Sequence, residues 1–182
     1  MNAIIEAAEK MSMPDGVSYL PAFDALESCP AAKYIENELF GTLPTQVGCC
    51  LGHNSLLNAT EWHTSSEVNI AVTPIVLILG DRRDVKDGMI DSSKFKAFYL
   101  PKDTAVEIYA TTLHYTPCQV SNDGFGCIVA LPKGTNTALE TTVNDKFMTA
   151  KNKWLIAHID NTAKIKQGAM AGITGTNHQI EY

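Results

Sequence analysis

From Gly41 onward, regular turn signals cut the chain into short apolar or alternating runs, and this punctuation limits what it can fold into. The runs are TQVGCCL, LLNATEWH, EVNIAV, IVLILG, FKAFYL, AVEIYA, LHYTPCQV and FGCIVAL. Between them lie Gly52-His53-Asn54, Ser65-Ser66, Thr73-Pro74, the polar stretch DRRDVKDGMIDSS, Pro101-Lys102-Asp103, Asn122-Asp123-Gly124 and Pro132-Lys133-Gly134. Strands of this length and spacing indicate an all-β sandwich or barrel of the jelly-roll kind. Asn122-Asp123-Gly124 predicts a hairpin turn. KNKWLIAHI reads as a late strand, and GAMAGITGTNHQIEY as a small-residue loop with a final strand. Before Gly41, residues 2–12 and Ala22–Phe40 read as helical. In the second stretch Phe23, Leu26, Ala31, Tyr34, Ile35 and Leu39 recur at helical spacing, with Pro30 a break or restart. The expectation is one domain over residues 1–182, with residues 1–40 a helical segment packed on a barrel and residues 41–182 forming the barrel and its C-terminal strands.

The surface chemistry narrows the partners. A formal net charge of -6 and an isoelectric point near 5.3 argue against nucleic acid and against an anionic membrane, both of which favour basic surfaces. MNAIIEAAEK lacks the basic start and long apolar stretch of a signal peptide, and no apolar run approaches the length of a spanning helix. The five cysteines, Cys29, Cys49, Cys50, Cys118 and Cys127, are odd in number and form no CxxC pair. They read as reduced, mostly buried thiols of a cytoplasmic protein rather than a disulfide framework or zinc knot.

One segment carries the candidate chemistry. In LNATEWHTSSEVNIAVT, Glu61 and His63 stand two residues apart, so on a strand both face the same way. Glu67 follows across the Thr64-Ser65-Ser66 break, at the head of the next strand. A carboxylate, an imidazole and a second carboxylate converging on one point can hold a divalent cation or carry out acid/base chemistry. Carboxylates facing a barrel interior need a compensating cation or partner, which favours the metal over a solvated hairpin.

Two further positions compete to complete the set. In AVEIYA, Ala105, Glu107 and Tyr109 share one face; if that face lines the barrel, Glu107 serves as general acid/base or as a fourth ligand, with Tyr109 beside it, and if it faces outward both are simply wet. His114, in TTLHYTPC, is either the fourth ligand on the adjoining strand or the cap of a turn. Glu61, His63, Glu67 and His114 would form a two-His, two-carboxylate shell, which suits Zn, Mn, Fe or Ni better than Mg or Ca. His53 and Asn54, in the turn after Gly52, are candidates for substrate contact at the barrel mouth, with Gln46 and Asn58 as further polar cavity contacts. Arg82, Arg83, Lys94 or Lys96 is a candidate for pairing with a substrate carboxylate, although a solvated loop accounts for them as well. His158 and His178 read as structural or surface residues.

These residues carry a resemblance to the cupin superfamily. The first cupin motif runs His-x-His, three or four residues, then Glu, then an apolar strand ending in a turn; Glu61-x-His63-x3-Glu67 followed by VNIAVTP is similar to it, with Glu in the first His position. The second motif, a Pro-x-Gly turn leading into a strand, is similar to Pro101-Lys102-Asp103-Thr104-Ala105-Val106-Glu107, with Asp103 where Gly is usual and no His beside Glu107. The whole chain looks most like a family of small single-domain bacterial cupins that share QxGxCxGHNxxxNAxExH…SE and ATTLHYxPC, over roughly residues 40–180. Distant similarity reaches the ureidoglycolate lyases and the metal-dependent sugar isomerase cupins. The resemblance implies a cupin-type double-stranded β-helix with one or two N-terminal helices, a bound divalent transition metal and a homodimer paired through an edge strand. It implies isomerase or lyase chemistry on a small polar metabolite: a sugar, a sugar acid or a ureido acid. The alternative reading is a non-catalytic sugar- or metabolite-binding module that uses the same cavity as a sensor. GxGxxG, GxxxxGK[ST], GxSxG and HExxH do not occur, which sets aside nucleotide cofactors, P-loop phosphoryl transfer and elbow-type serine hydrolysis.

Overall fold

The computed structural model describes residues 1–182. The chain begins with helix α1 (Asn2–Glu9) and strand β1 (Val17–Leu20). Two short helices follow, α2 (Asp24–Glu27) and α3 (Pro30–Tyr34), and a π-helical turn over Ile35–Leu39. Next come β2 (Thr45–Gly52), β3 (Ala59–Trp62), β4 (Glu67–Ala71), β5 (Ile75–Asp81), β6 (Ile90–Asp91), β7 (Lys96–Leu100), β8 (Ala105–Ile108), β9 (Thr112–Leu113), β10 (Cys118–Gln119) and β11 (Phe125–Pro132). The chain closes with β12 (Met148–Ala150), β13 (Lys153–His158), α4 (Thr162–Lys166) and β14 (Met170–Thr174).

The strands form three sheets. The first has the order β1-β2-β11-β4-β8; the second runs β10-β5-β7, with β9 also pairing β5; the third runs β12-β13-β14-β6, with β3 pairing β13. Burial of alternate side chains sets the layers. Val47, Cys49 and Leu51 of β2, with Val68 and Ile70 of β4, pack beneath the N-terminal helices against Ile4, Ile5, Leu26 and Ile35. The opposite face of the same sheet, through Cys50, Ala71, Cys127 and Val129, meets Ile75, Leu77 and Leu100 of the second sheet. Val76 and Ile78 of β5 then turn outward onto Trp62, Ile156 and Ile173 of the third. The result is a mainly β, cupin-type barrel with helices on one outer face.

Each of the eight apolar runs contains a strand. The N-terminal region differs more. Residues 2–12 and Ala22–Phe40 are not two continuous helices: the first ends at Glu9, the second is broken into two short helices and a π turn, and VSYL between them is a strand. This β1 pairs antiparallel with β2, from Val17 opposite Gly52 to Leu20 opposite Cys49. Where the chain leaves β1 it crosses β2 at Gly48, and a Cβ there would lie 1.8 Å from the Leu20 carbonyl oxygen, so only glycine fits. Asp103, standing where the second motif usually has Gly, adopts φ 67°, the left-handed conformation that Asp tolerates better than most residues.

Two apparent hairpins change sheets instead. Asn122-Asp123-Gly124 joins β10, which pairs β5, to β11, which pairs β2 and β4. Thr64-Ser65-Ser66 joins β3, in the third sheet, to β4, in the first. The local turn chemistry is right in both places, but the strands it joins find other partners.

All five cysteines are free thiols, and Cys49, Cys50, Cys118 and Cys127 are buried. Burial pushes the Cys49 and Cys118 thiols up to about 12, and the Cys50 and Cys127 thiols rise as well. A buried thiol this far above its ordinary value carries almost no thiolate at neutral pH and does not react. In the native protein at about pH 8, a disulfide reagent is expected to titrate Cys29 alone, and all five thiols after denaturation. Rapid reaction of several thiols in the folded protein would contradict this packing.

Candidate metal centre

Glu61, on β3, and His114, immediately after β9, are joined by a reciprocal pair of backbone hydrogen bonds. The Glu61 N–H donates to the His114 carbonyl at 2.6 Å and the His114 N–H to the Glu61 carbonyl at 3.0 Å. Side chains opposite one another in such a pair share a face. His63 joins them two residues along, and its ring centroid is 5.2 Å from that of His114. Between them Trp62 points the other way, stacked on Trp154 at 6.3 Å with Arg82 over its ring at 5.4 Å. The alternation that packs Trp62 beside Trp154 and against Val76 and Ile78 of the second sheet therefore turns Glu61 and His63 inward. Glu67 enters from β4, on the same face as Asn69 and opposite the face that carries Val68 and Ile70 to the helices.

Four potential ligands thus meet, all buried: Glu61 at 8% exposure, His63 at 1%, Glu67 at 5% and His114 at 6%. The ligand atoms of Glu61, His63 and His114 lie within 4.8 Å of one another. Glu67 Oε2 lies 3.4 Å from Nε2 of His63 and 3.4 Å from Nε2 of His114, and Glu61 Oε1 is 3.8 Å from His63 Nε2. These separations exceed an ordinary N–H···O hydrogen bond.

Each of the four groups also has an outer partner that fixes its orientation. His63 Nδ1 is 2.6 Å from the Asn152 carbonyl oxygen, and His114 Nδ1 is 3.1 Å from the Thr112 carbonyl oxygen. A carbonyl can only accept, so both Nδ1 atoms carry the proton, and both Nε2 atoms are left buried without a hydrogen-bond partner. Glu67 Oε1 accepts from Asn69 Nδ2 at 2.5 Å, and Lys153 Nζ lies 2.5 Å from Glu61 Oε2. Histidines held by Nδ1–H on a carbonyl, with Nε2 bare, are arranged as metal-binding histidines are. The chemistry of the donor set fits a divalent transition metal.

The electrostatics are those of a tightly coupled cluster. Burial alone would push the Glu67 carboxyl up, but the His114 and His63 imidazoles beside it outweigh that and hold it well below the usual carboxylate range. Burial pulls His114 down, while Glu67 and Glu61 more than reverse this and push it up to about 9. In the metal-free protein at neutral pH its Nε2 therefore also holds a proton, directed at Glu67, which a bound ion would displace.

The cluster opens on a cavity of about 370 Å³. Its walls include Tyr19, Asn54, Asn58, Asn136, Tyr115 and Lys153. Burial raises the phenols of Tyr19 and Tyr115 far above their ordinary value, so both keep their protons.

The other sequence candidates fall elsewhere. Glu107 pairs with Val68 across β4 and β8, on the face turned toward the helical side, and is exposed; Tyr109 is 63% exposed. The inward residue of β8 is Ile108, so the alternation holds but with the opposite phase, and neither Glu107 nor Tyr109 reaches the cavity. Gln46 is buried but spent on the backbone, donating to the Thr135 carbonyl at 2.9 Å and accepting from the Gly134 N–H at 2.7 Å. His53 is exposed and does not line the cavity, whereas Asn54 does, with its side chain bonded to the backbone of Leu56, Thr116 and Pro117. Arg82 covers Trp62, Arg83 pairs with Asp81 at 2.6 Å, and Lys94 and Lys96 are exposed.

The sequence reading missed Asn69, Tyr19, Tyr115, Asn136 and Lys164 of the site, and two residues that bear directly on its ligands, Lys153 and Asn152. Lys153 opens β13, with Leu155 and Ala157 on its face; a lysine at the head of an otherwise apolar inward face was the available signal. Asn152, at φ 56°, turns the chain between β12 and β13. Its Oδ1 accepts from the Thr64 N–H at 2.9 Å and the Thr64 hydroxyl at 2.6 Å, and its Nδ2 donates to Ser65 and Thr135. That side chain clamps the turn after His63 to the carbonyl that holds His63.

The barrel and its inward His/carboxylate cluster define the class of protein: a cupin-type fold with a candidate metal site. The chain belongs to the family described as Domain of unknown function (DUF4867), which it matches over residues 1–178. No curated protein sequence matches it. Among solved structures it is similar to hydroxypropylphosphonic acid epoxidase from S. wedmorenis, at 16% identity and TM-score 0.34, over 47% of this chain and 40% of that one. It is also similar to vicilin from Capsicum annuum (11% identity, TM-score 0.42, 88% of this chain and 39% of that one). A third is a mutant of Bacillus subtilis oxalate decarboxylase (7% identity, TM-score 0.39, 67% of this chain and 27% of that one). Each alignment spans less than half of the other chain.

Asn152→Gly keeps a residue that tolerates positive φ and removes only the clamp. It is expected to lower stability by about 1–3 kcal/mol in urea unfolding, the cost of leaving several partly buried polar partners unmatched. Unchanged stability would show that the clamp does not hold the turn.

Proposed function

We propose that this chain is a metal-dependent enzyme of the cupin class that isomerises, or eliminates from, a small polar metabolite. The observation that carries the reading is the pair of buried Nε2 atoms, each left bare by an Nδ1–H bond to a backbone carbonyl and flanked by Glu61 and Glu67. His63, His114, Glu61 and Glu67 would hold a divalent Zn, Mn, Fe or Ni ion. Bound there, such an ion supplies Lewis acidity toward a carbonyl or hydroxyl oxygen. Asn152, Thr112 and Asn69 keep the two imidazoles and Glu67 oriented toward the common point. The protonated phenols of Tyr19 and Tyr115 offer donors to substrate oxygens, and the Asn54, Asn58 and Asn136 side chains line the same cavity. With Glu107 outside, the acid/base role falls to groups that face the cavity.

One observation favours the second reading, a binding module that senses a metabolite without turning it over. Lys153 already neutralises Glu61 at 2.5 Å, so that carboxylate is compensated without an ion.

Two measurements separate these readings. Elemental analysis after loading with zinc or manganese is expected to find stoichiometric metal in the wild type. His63→Ala and His114→Ala should each weaken affinity by more than the roughly 10–100-fold typical of losing an outer-sphere partner. Absence of stoichiometric metal in the folded wild type contradicts the metal-dependent reading. Proton NMR in deuterated water with sugars, sugar acids and ureido acids should then reveal deuterium incorporation or an elimination product that is lost in His63→Ala. Tight binding without turnover supports the sensor.

A further inference from the structure

The charged side chains that line the cavity are two carboxylates and two ammonium groups, beside His114. Glu61 and Glu67 stand deep in it, with Lys153 on Glu61. Lys164, on α4, completes the set. As the groups stand, Lys153 has a counter-charge, because Glu61 Oε2 lies 2.5 Å from its Nζ. A divalent ion held by Glu61 and Glu67 would use both carboxylates to balance its own charge. The Lys153 ammonium, on a side chain only 20% exposed, would then have no negative partner, since no third carboxylate lines the cavity. An ammonium whose side chain is four-fifths buried and that has no negative partner is costly and calls for an anion.

From this balance, and resting on the metal reading above, we propose that the cavity takes an anionic substrate: a hydroxy or oxo acid whose carboxylate pairs with Lys153, with Lys164 adding a second positive charge. The hydroxyl or carbonyl next to that carboxylate faces the His63–His114–Glu67 end. The neutral amides and phenols of the wall serve the remaining hydroxyls. Neutral sugars lack the group that Lys153 requires, so the acids are selected from among small polyhydroxy metabolites. None of Arg82, Arg83, Lys94 and Lys96 lines the cavity, so the carboxylate is received by a lysine of β13.

The test is calorimetric titration of the metal-loaded protein with glycolate and gluconate, and with their uncharged counterparts ethylene glycol and sorbitol. The acids are expected to bind and the polyols not. Lys153→Met should weaken acid binding by about 30-fold or more, the usual cost of truncating one partner of a buried charge pair. It should do so without lowering metal content, while Lys153→Arg, which keeps the charge and guards against a Met variant that fails to fold, retains the preference. A second arm needs no metal. In Glu61→Gln the lysine loses its partner, so the metal-free variant should bind gluconate more tightly than the metal-free wild type does, and adding Lys153→Met should abolish the gain. If the wild type takes up no metal, the metal reading fails and the Glu61→Gln arm alone decides the anion site. Equal binding of acids and polyols, or acid binding unaffected by both lysine substitutions, overturns the proposal.

Discussion

The two hydrogen bonds that join Glu61 to His114 are the constraint on which the rest of the site depends. They bring residues far apart in sequence into one antiparallel pair and oblige their side chains to share a face. Once that pair is made, the two-residue period places His63 beside them, and the third sheet fixes the phase by burying Trp62 against Trp154. Shifting β3 by one residue would drive an indole into the cavity and two ionisable groups into the apolar layer between the sheets. The cost of burying those groups unpaired makes the register close to exclusive.

The same cost explains why the cluster is elaborated. Four buried ionisable groups in one place have to be compensated, and each has an outer partner: a backbone carbonyl for either imidazole, an amide for Glu67, an ammonium for Glu61. The two carbonyls leave both Nε2 atoms without a hydrogen-bond partner, whereas Lys153 neutralises its carboxylate. That difference ties the metal to the substrate, because whatever displaces the charge on Glu61 leaves the lysine seeking another anion.

Much of this was legible in the sequence, for physical reasons that also mark where legibility stops. Strand positions are set by local punctuation and apolar content, so the runs from TQVGCCL to FGCIVAL all contain strands. Glu61, His63 and Glu67 were legible as a set because period two is a property of the strand itself. Sheet partners are not local: Asn122-Asp123-Gly124 and Thr64-Ser65-Ser66 have the right turn chemistry, yet their flanking strands lie in different sheets. The phase of β8 stayed open for the same reason. AVEIYA alternates either way, and only the register of Glu107 opposite Val68, beneath the helices, decides that Glu107 faces out. VSYL was passed over because a four-residue edge strand between helices carries little pattern, and Lys153 because its one signal, an apolar face continuing through Leu155 and Ala157, does not show which way that face turns.

The central claim is that His63 and His114 present Nε2 to a common ion. It is tested most directly by anomalous diffraction at the zinc edge from crystals of the zinc-loaded protein. The account predicts one strong peak about 2.0–2.1 Å from Nε2 of both histidines, with carboxylate oxygens of Glu61 and Glu67 completing the shell. A zinc-loaded crystal with no peak between the two imidazoles, or with the metal on other residues, would contradict it.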